Sequence, residues 1–202
     1  MIRSSPSLPQ ALLRETAVAI GPGITTHAQT VKLLQEYLKQ LTCPVVIDAD
    51  GLNCLSRSNG LLTKLKCPLI LTPHPKEMSR LSGLTTKAIQ SRRIEVAREF
   101  AQKNSLILIL KSAGTALAFP DGRVCINSTG NPGMATAGTG DVLTGMIGGL
   151  LAQGFNMEKA AIAGTYLHGL VADDYAEKNS QTTLIASDLL RVLPEKMKRI
   201  LP

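Results

Sequence analysis

The chain has 202 residues, of which 44% are hydrophobic and 3% aromatic, and its 22 basic and 15 acidic residues give a formal net charge of +7. This length suits one domain, and the aliphatic composition favours helices packed on a parallel sheet over an aromatic-rich β-sandwich. The positive charge does not predict a nucleic-acid surface, because the basic residues are scattered through helical segments without interleaved aromatic side chains for base stacking.

Cysteine spacing and hydropathy indicate the cellular compartment. The four cysteines form no C-x-x-C pair and have no His at metal-ligand spacing, so we expect reduced, structural thiols. The first 15 residues lack the apolar segment of a signal peptide, and the longest apolar run, residues 106–110, is too short to cross a bilayer. We therefore expect a cytoplasmic protein with no membrane partner.

Short β-rich runs alternate with helical periodicity in the first half of the chain. Residues 27–41 place Val31, Leu34, Leu38 and Leu41 on one face, and a later stretch shares a stripe of Ile89, Val96 and Phe100. Alternation of strand and helix predicts a parallel sheet built by right-handed crossovers. The predicted strands are residues 17–20, 44–50, 68–74 and 105–111.

The second half begins with a different pattern. Two alternating runs joined by Pro-Asp-Gly predict a β-hairpin over residues 115–127, added to the sheet in antiparallel orientation. The remainder predicts three helices: residue 141 to about 153, residue 157 to about 178, and a last helix that follows Ser187 as its cap.

The polar endings of the four predicted parallel strands indicate where a ligand would bind. In an open parallel sheet, ligands bind beyond the carboxyl ends of the strands. The topology therefore predicts one site assembled from four loops at one edge: GPG (21–23), DADGLN (48–53), TPHPKE (72–77) and KSAGT (111–115).

Residues 131–145, NPGMATAGTGDVLTG, concentrate glycine, since seven of the 17 glycines lie between Gly130 and Gly149. Backbone N–H groups of a glycine turn before a helix can bind an anion, and Asp141 would then serve as general base for a substrate hydroxyl. A tight turn with an ordinary helix cap explains the same residues. The spacing fits neither the Walker pattern nor the dinucleotide fingerprint.

Five motifs in order, AIGPGI, VIDADGLN, LTPHPKEMSRL, KSAGT and NPGMATAGTGDVLTGMIGGLLAQG, resemble the ADP- or ATP-dependent NAD(P)H-hydrate dehydratases, a branch of the ribokinase-like superfamily. The resemblance runs from about Ala17 to the C-terminus. It implies an α/β fold, with residues 1–202 as a single ribokinase-like domain. This domain would be a three-layer sandwich whose mostly parallel sheet carries helices on both faces and an antiparallel hairpin.

The same resemblance implies repair of hydrated NADH or NADPH. A nucleotide, ADP or ATP with Mg²⁺, phosphorylates the ring hydroxyl, and phosphate then leaves with the help of the ring nitrogen. The metal ligands remain unknown, and a homotetramer is implied. By motif, the catalytic base is Asp141, the anion hole is Gly138, Thr139 and Gly140, the nucleotide contacts are Lys111, Ser112, Ala113, Gly114, Thr115 and Gly140, and the substrate contacts are Gly23, His74 and Asp141.

Other interpretations of these residues stay open. His74, between two prolines, could simply shape a loop, and Lys111 could mark the solvent boundary of its strand. A second set, Asp48, Asp50 and Asn53, could order magnesium or a turn and is left out of the catalytic set. We expect packing or capping for His168, and leave Glu77, Asp173 and Asp174 unassigned.

Two departures separate the chain from the family pattern. Ile24 and Thr25 follow Gly23 where the family usually continues GPG-x-G, and family members usually carry about two further βα units before this strand. Part of the sheet and one wall of the site are therefore expected to be missing, with self-association at the open edge. Two alternatives to the dehydratase remain, a vitamin-precursor or sugar kinase of the same fold and a non-catalytic nucleotide-binding remnant.

Overall fold

The computed structural model describes residues 15–58 and 60–200, so most of the segment weighed above as a signal peptide lies outside the described residues. In this part of the chain six strands form one sheet, and their spatial order equals their chain order. The first four strands are parallel and the last two antiparallel, which confirms the predicted sheet and hairpin. The strands are β1 (Val18–Ile20), β2 (Val45–Ile47), β3 (Leu69–Leu71), β4 (Ile107–Leu110), β5 (Ala116–Ala118) and β6 (Val124–Ile126).

Helices cover both faces of this sheet. The first five pack on one face against side chains such as Val45 and Ile47, whereas the next two pack on the opposite face, where Val46 points. Both faces of the central strands are therefore buried, as their unbroken aliphatic runs require. The described helices are α1 (Ala28–Gln40), α2 (Ala49–Ser56), α3 (Pro75–Ser82), α4 (Thr86–Ser91), α5 (Arg93–Asn104), α6 (Thr139–Ala152), α7 (Met157–Lys178) and α8 (Ala186–Ile200).

Two of these helices replace sequence that was predicted as polar strand endings. Asp48 and His74 have extended backbone angles and immediately precede α2 and α3, so the chain turns into a helix directly after β2 and within four residues of β3. Each helix has eight residues, which is about two turns and too short for a clear periodic stripe. The prediction of loops there was wrong.

The predicted cap of the last helix was also wrong. Ser187 lies inside α8, which begins at Ala186. The carboxylate of Asp188 instead accepts a hydrogen bond from the N–H of Ile185 at 3.1 Å. A carboxylate reaching back to the N–H three residues earlier is one half of a capping box. Helix α6 begins at Thr139, two residues before its predicted start.

None of the helices in residues 15–58 and 60–200 combines the length and the apolar character that a membrane span needs.

Candidate active site

The loops that follow the parallel strands lie side by side at one edge of the sheet. Backbone hydrogen bonds continue the ladder beyond the strands: Asp48 N–H donates to Ile20 O at 3.1 Å and Lys111 N–H to Pro73 O at 2.8 Å. Because these bonds tie each loop to its neighbour, the loops cannot separate without breaking the sheet. The structure thus brings the four predicted segments to a common edge, although residues 49–53 and 75–77 are helical.

The first loop is shaped by close packing at one glycine and by backbone strain further on. Gly21 has φ +136°, and a Cβ there would lie 1.8 Å from the carbonyl oxygen of Asp48. Gly23 has φ +70° and open space where a Cβ would be. Thr25 keeps a positive φ of 67° although it stands where the family pattern has glycine, and its N–H donates to Asp50 Oδ2 at 3.0 Å. Thr25 therefore holds a left-handed backbone, which favours glycine.

His74 caps helix α3. Its Nδ1 accepts hydrogen bonds from the N–H groups of Lys76 and Glu77 at 3.1 and 3.2 Å, and Glu77 Oε2 accepts from the His74 N–H at 2.8 Å. An accepting Nδ1 requires an unprotonated ring nitrogen. Burial first, and then the charge of Lys111, lower the pKa of His74 below its ordinary value. The 3.3 Å contact from Nε2 to Glu77 Oε1 therefore involves a neutral imidazole and is not an ion pair.

Glu77, left unassigned by the sequence, is buried within this capping box. Burial is the main cause that raises the pKa of its carboxyl group. The structural role of His74 is thus explained by the cap, and its contact with a ligand stays a prediction.

The loop that follows β4 is held by a residue that the sequence analysis missed. Arg93, at the start of α5, donates to Ser112 Oγ at 2.6 Å and to Ala113 O at 2.8 Å. Gly114 lies beside the same guanidinium and has φ +63°. The loop is therefore fixed before any ligand binds. No local signal marks Arg93, because it stands in a basic helical stretch about 20 residues before the loop.

The glycine turn before α6 leaves several backbone donors without acceptors. Gly138 adopts φ +89° at the N-cap position and no side chain caps the helix. No described residue accepts a hydrogen bond from the N–H groups of Thr139, Gly140 or Asp141. The helix dipole adds positive potential at the same place, so these groups form a site that favours an anion.

Two side chains of helix α7 hold this turn and the segment that leads into it. His168 is 7% exposed, and its Nε2 lies 2.8 Å from Thr139 O, to which the ring N–H donates. Burial lowers the pKa of His168 to about 4, so the ring is neutral at physiological pH. Asp173 accepts from the N–H of Gly130 at 2.7 Å and from Asn131 Nδ2 at 3.0 Å. His168 is thus a packing residue, as expected, and the role of Asp173 becomes visible.

Asp141 lies in the first turn of α6 and is exposed, with no described residue donating to its carboxylate. It also lines one end of an apolar groove of about 500 Å³ between α6, α7 and α8, together with Val142, Leu190 and Leu193. None of the other predicted contact residues lines this groove. An unpaired carboxylate beside unpaired N–H groups can accept a proton while the N–H groups hold negative charge.

The three residues considered for magnesium are each used inside the protein. Asp48 contacts Lys111, Asp50 accepts from Thr25 N–H, and Asn53 Oδ1 accepts from Arg80. Among the described residues no group of three His, Cys, Asp or Glu side chains is placed to hold a metal ion. These contacts therefore hold the start of α2 against the neighbouring loops and helix α3.

Comparison with known proteins supports the resemblance. A family model described as NAD(P)H-hydrate dehydratase matches residues 3–195. The bifunctional NAD(P)H-hydrate repair enzyme of Moorella thermoacetica is 47% identical over 191 residues, which are 95% of this chain and 36% of that enzyme.

Solved structures extend this similarity to the fold. The ADP/ATP-dependent NAD(P)H-hydrate dehydratase from Bacillus subtilis, co-crystallized with ATP/Mg²⁺, is 37% identical with a TM-score of 0.81, over 91% of this chain and 64% of that one. A ribokinase-like superfamily protein from Enterococcus faecalis is 32% identical with a TM-score of 0.82, over 95% and 66%. The predicted ribokinase-like fold is thereby confirmed, and the chain spans between about a third and two thirds of the length of these relatives.

Proposed function

The chain belongs to the NAD(P)H-hydrate dehydratase family, and we propose that it restores NADH or NADPH from the hydrated cofactor at the expense of ADP or ATP. The similarity to the repair enzyme of Moorella thermoacetica and the dehydratase of Bacillus subtilis supports this assignment. Residues 1–202 act as one domain in this proposal. We further propose a cytoplasmic homo-oligomer, a tetramer by family resemblance, without nucleic-acid or membrane partners.

The proposed reaction has two steps. Asp141 accepts the proton of the ring hydroxyl while the hydroxyl oxygen attacks the terminal phosphorus of the nucleotide. The bond from that phosphorus to the bridging oxygen breaks. The N–H groups of the turn from Gly138 to Gly140 stabilise the charge on the transferring phosphoryl group. The carbon–oxygen bond of the ring phosphate then breaks with assistance from the lone pair of the ring nitrogen, and phosphate leaves. Loss of a proton from the neighbouring ring carbon to water re-forms the double bond and restores the reduced ring.

Nucleotide and substrate are assigned to the predicted loops on either side of this turn. The nucleotide contacts Lys111, Ser112, Ala113, Gly114, Thr115 and Gly140, and the hydrated cofactor contacts Gly23, His74 and Asp141. We propose that magnesium would be carried by the nucleotide phosphates, whose oxygens are ligands of the kind that it prefers.

One observation carries the proposal: three unbonded N–H groups and one exposed, unpaired carboxylate lie together in the first turn of α6. No side chain caps this end of the helix, so these donors remain available to a ligand. A kinase acting on a small alcohol would use the same groups, so the test includes such substrates.

The test mixes the purified chain with hydrated NADH, magnesium and either ADP or ATP, and follows the near-ultraviolet absorbance of intact NADH. We expect nucleotide-dependent recovery that falls by about 10²-fold or more in Asp141→Asn, since that variant lacks the base. Glu99→Gln, which removes an exposed carboxylate of α5, is the matched control and should keep the activity.

Other outcomes select the alternatives. Phosphorylation of a vitamin precursor or a sugar, without recovery of NADH, would identify a kinase. Nucleotide binding by calorimetry without turnover on any substrate would identify a non-catalytic remnant.

A further inference from the structure

Asp48 has an unusual environment for a residue that precedes a helix. It occupies the N-cap position of α2, where an Asp side chain ordinarily accepts a hydrogen bond from the helix backbone, but its carboxylate makes no such bond. It is 1% exposed. Its Oδ1 lies 2.7 Å from Lys111 Nζ, and its Oδ2 lies 3.0 Å from Thr144 Oγ1. The carboxylate is therefore directed away from its own helix and towards β4 and α6.

The ion pair lies directly beneath the glycine turn. A Cβ added to Gly140 would stand 3.2 Å from both Asp48 Oδ2 and Lys111 Nζ. Within the described residues, the ammonium donates one of its three N–H groups, to Asp48. The Lys111 side chain is 21% exposed, so its remaining donors can reach a ligand at the turn.

Two positive groups are thus held close together before any anion binds. The ammonium of Lys111 and the positive end of α6 repel each other, and a flexible lysine stem would relieve this repulsion by moving outward. A buried carboxylate between them offsets the repulsion and fixes one ammonium position. Thr144, on the second turn of α6, also ties the helix to Asp48 through its hydroxyl.

We propose that Asp48 is a positioning residue, which holds the Lys111 ammonium and the α6 turn in one arrangement so that both meet the same phosphoryl group. This inference rests on the proposed function, because that function supplies the phosphoryl group. Asp48 does not itself touch the nucleotide. Its effect passes through Lys111, which is the property that an experiment can isolate.

The test is a double-mutant cycle of Asp48→Asn, Lys111→Met and both together. The Asn side chain keeps the size of Asp48 and one acceptor but removes the charge. We expect Asp48→Asn to lower kcat for NADH recovery by about 10²-fold, the scale of a misplaced catalytic group. In the Lys111→Met background the same change should lower kcat by less than about 3-fold, because the residue through which it acts is gone.

Asp174→Asn is the matched control. Asp174 is a buried carboxylate on α7 that pairs with Lys196, whose side chain is 16% exposed, and neither is among the predicted ligand contacts. This variant should lose stability to urea but keep kcat. If Asp48→Asn behaves like Asp174→Asn, or if its effect multiplies with that of Lys111→Met, the proposal is overturned.

ATP affinity by calorimetry separates this proposal from the proposed function. Even without turnover, Asp48→Asn should weaken ATP binding by about 10-fold, and adding Lys111→Met should weaken it little further. Unchanged ATP affinity in Asp48→Asn would contradict the positioning role. If Asp48→Asn fails to fold, Thr144→Val removes only the second anchor of the carboxylate, and a several-fold loss of ATP affinity is then the expected result.

Discussion

Replacing His168 with Gln should flatten the dependence of stability on pH. The imidazole, on α7, is buried against the start of α6. Its pKa falls from an ordinary value of 6.5 to about 4. Below pH 6.5 the unfolded chain therefore binds a proton that the folded chain refuses. The stability that this neutral ring contributes is complete above pH 6.5 and is lost as the pH falls through about 4.

The size of the effect follows from the shift in pKa. The full contribution corresponds to about 3 kcal/mol, and the part lost between pH 7 and pH 4.5 is about 2.5 kcal/mol. A Gln side chain can still donate to Thr139 O but does not titrate, so the variant should not lose this part. Carboxylates titrate alike in both proteins and cancel in the comparison.

The assay is urea unfolding followed by circular dichroism at pH 7 and pH 4.5. We expect the free energy of unfolding to fall by about 2.5 kcal/mol more in the wild-type protein than in His168→Gln. His27→Gln, which removes an exposed imidazole before α1, controls for the loss of a histidine elsewhere. Equal losses in wild type and His168→Gln, within about 0.5 kcal/mol, would refute the reasoning, because the buried ring would then not resist protonation.

The first loop of the site provides two further predictions. Gly21→Ala should lower the free energy of unfolding by about 3 kcal/mol, because its Cβ would overlap the carbonyl of Asp48, whereas Gly23→Ala, with open space, should cost about 1 kcal/mol. If the two variants lower the free energy of unfolding equally, in thermal and in urea unfolding, the overlap with the carbonyl of Asp48 is not the cause. Thr25→Gly should stabilise the protein by up to about 1 kcal/mol, since relief of the positive φ outweighs the added chain entropy. A lower melting temperature in that variant would show that the lost contact of Thr25 Oγ1 with Thr30 Oγ1 and the added chain entropy outweigh the relief of strain.

The sheet was predictable from the composition of its strands. Val45 to Ile47 and Ile107 to Leu110 are aliphatic without interruption, as strands buried on both faces must be. Helix α3 was missed although HPKE carries its own signal: His74 caps, Pro75 opens the helix, and Glu77 stands where a capping box has its acid. Histidine is not among the usual capping residues, so HPKE was interpreted as a loop.

The site was predictable only where topology or composition marks it. Strand endings and a cluster of glycines indicated its loops, but the partner of Asp48 lies 63 residues away in the sequence. An Asp before a helix, with glycine nearby, suggests turn chemistry, and nothing local reveals that its carboxylate turns inward. Arg93 is hidden for the same reason, since only the folded chain brings it to Ser112.

The equality of spatial and chain order in the sheet also sets an order of assembly. Each described strand pairs with the one before it, so the contacts of the sheet join neighbouring parts of the chain. The hydrogen bond from Thr144 to Asp48, in contrast, spans 96 residues. All six strands are synthesised by Ile126, before α6 has begun. The proposed site therefore forms only when α6 docks on strands that precede it in the chain.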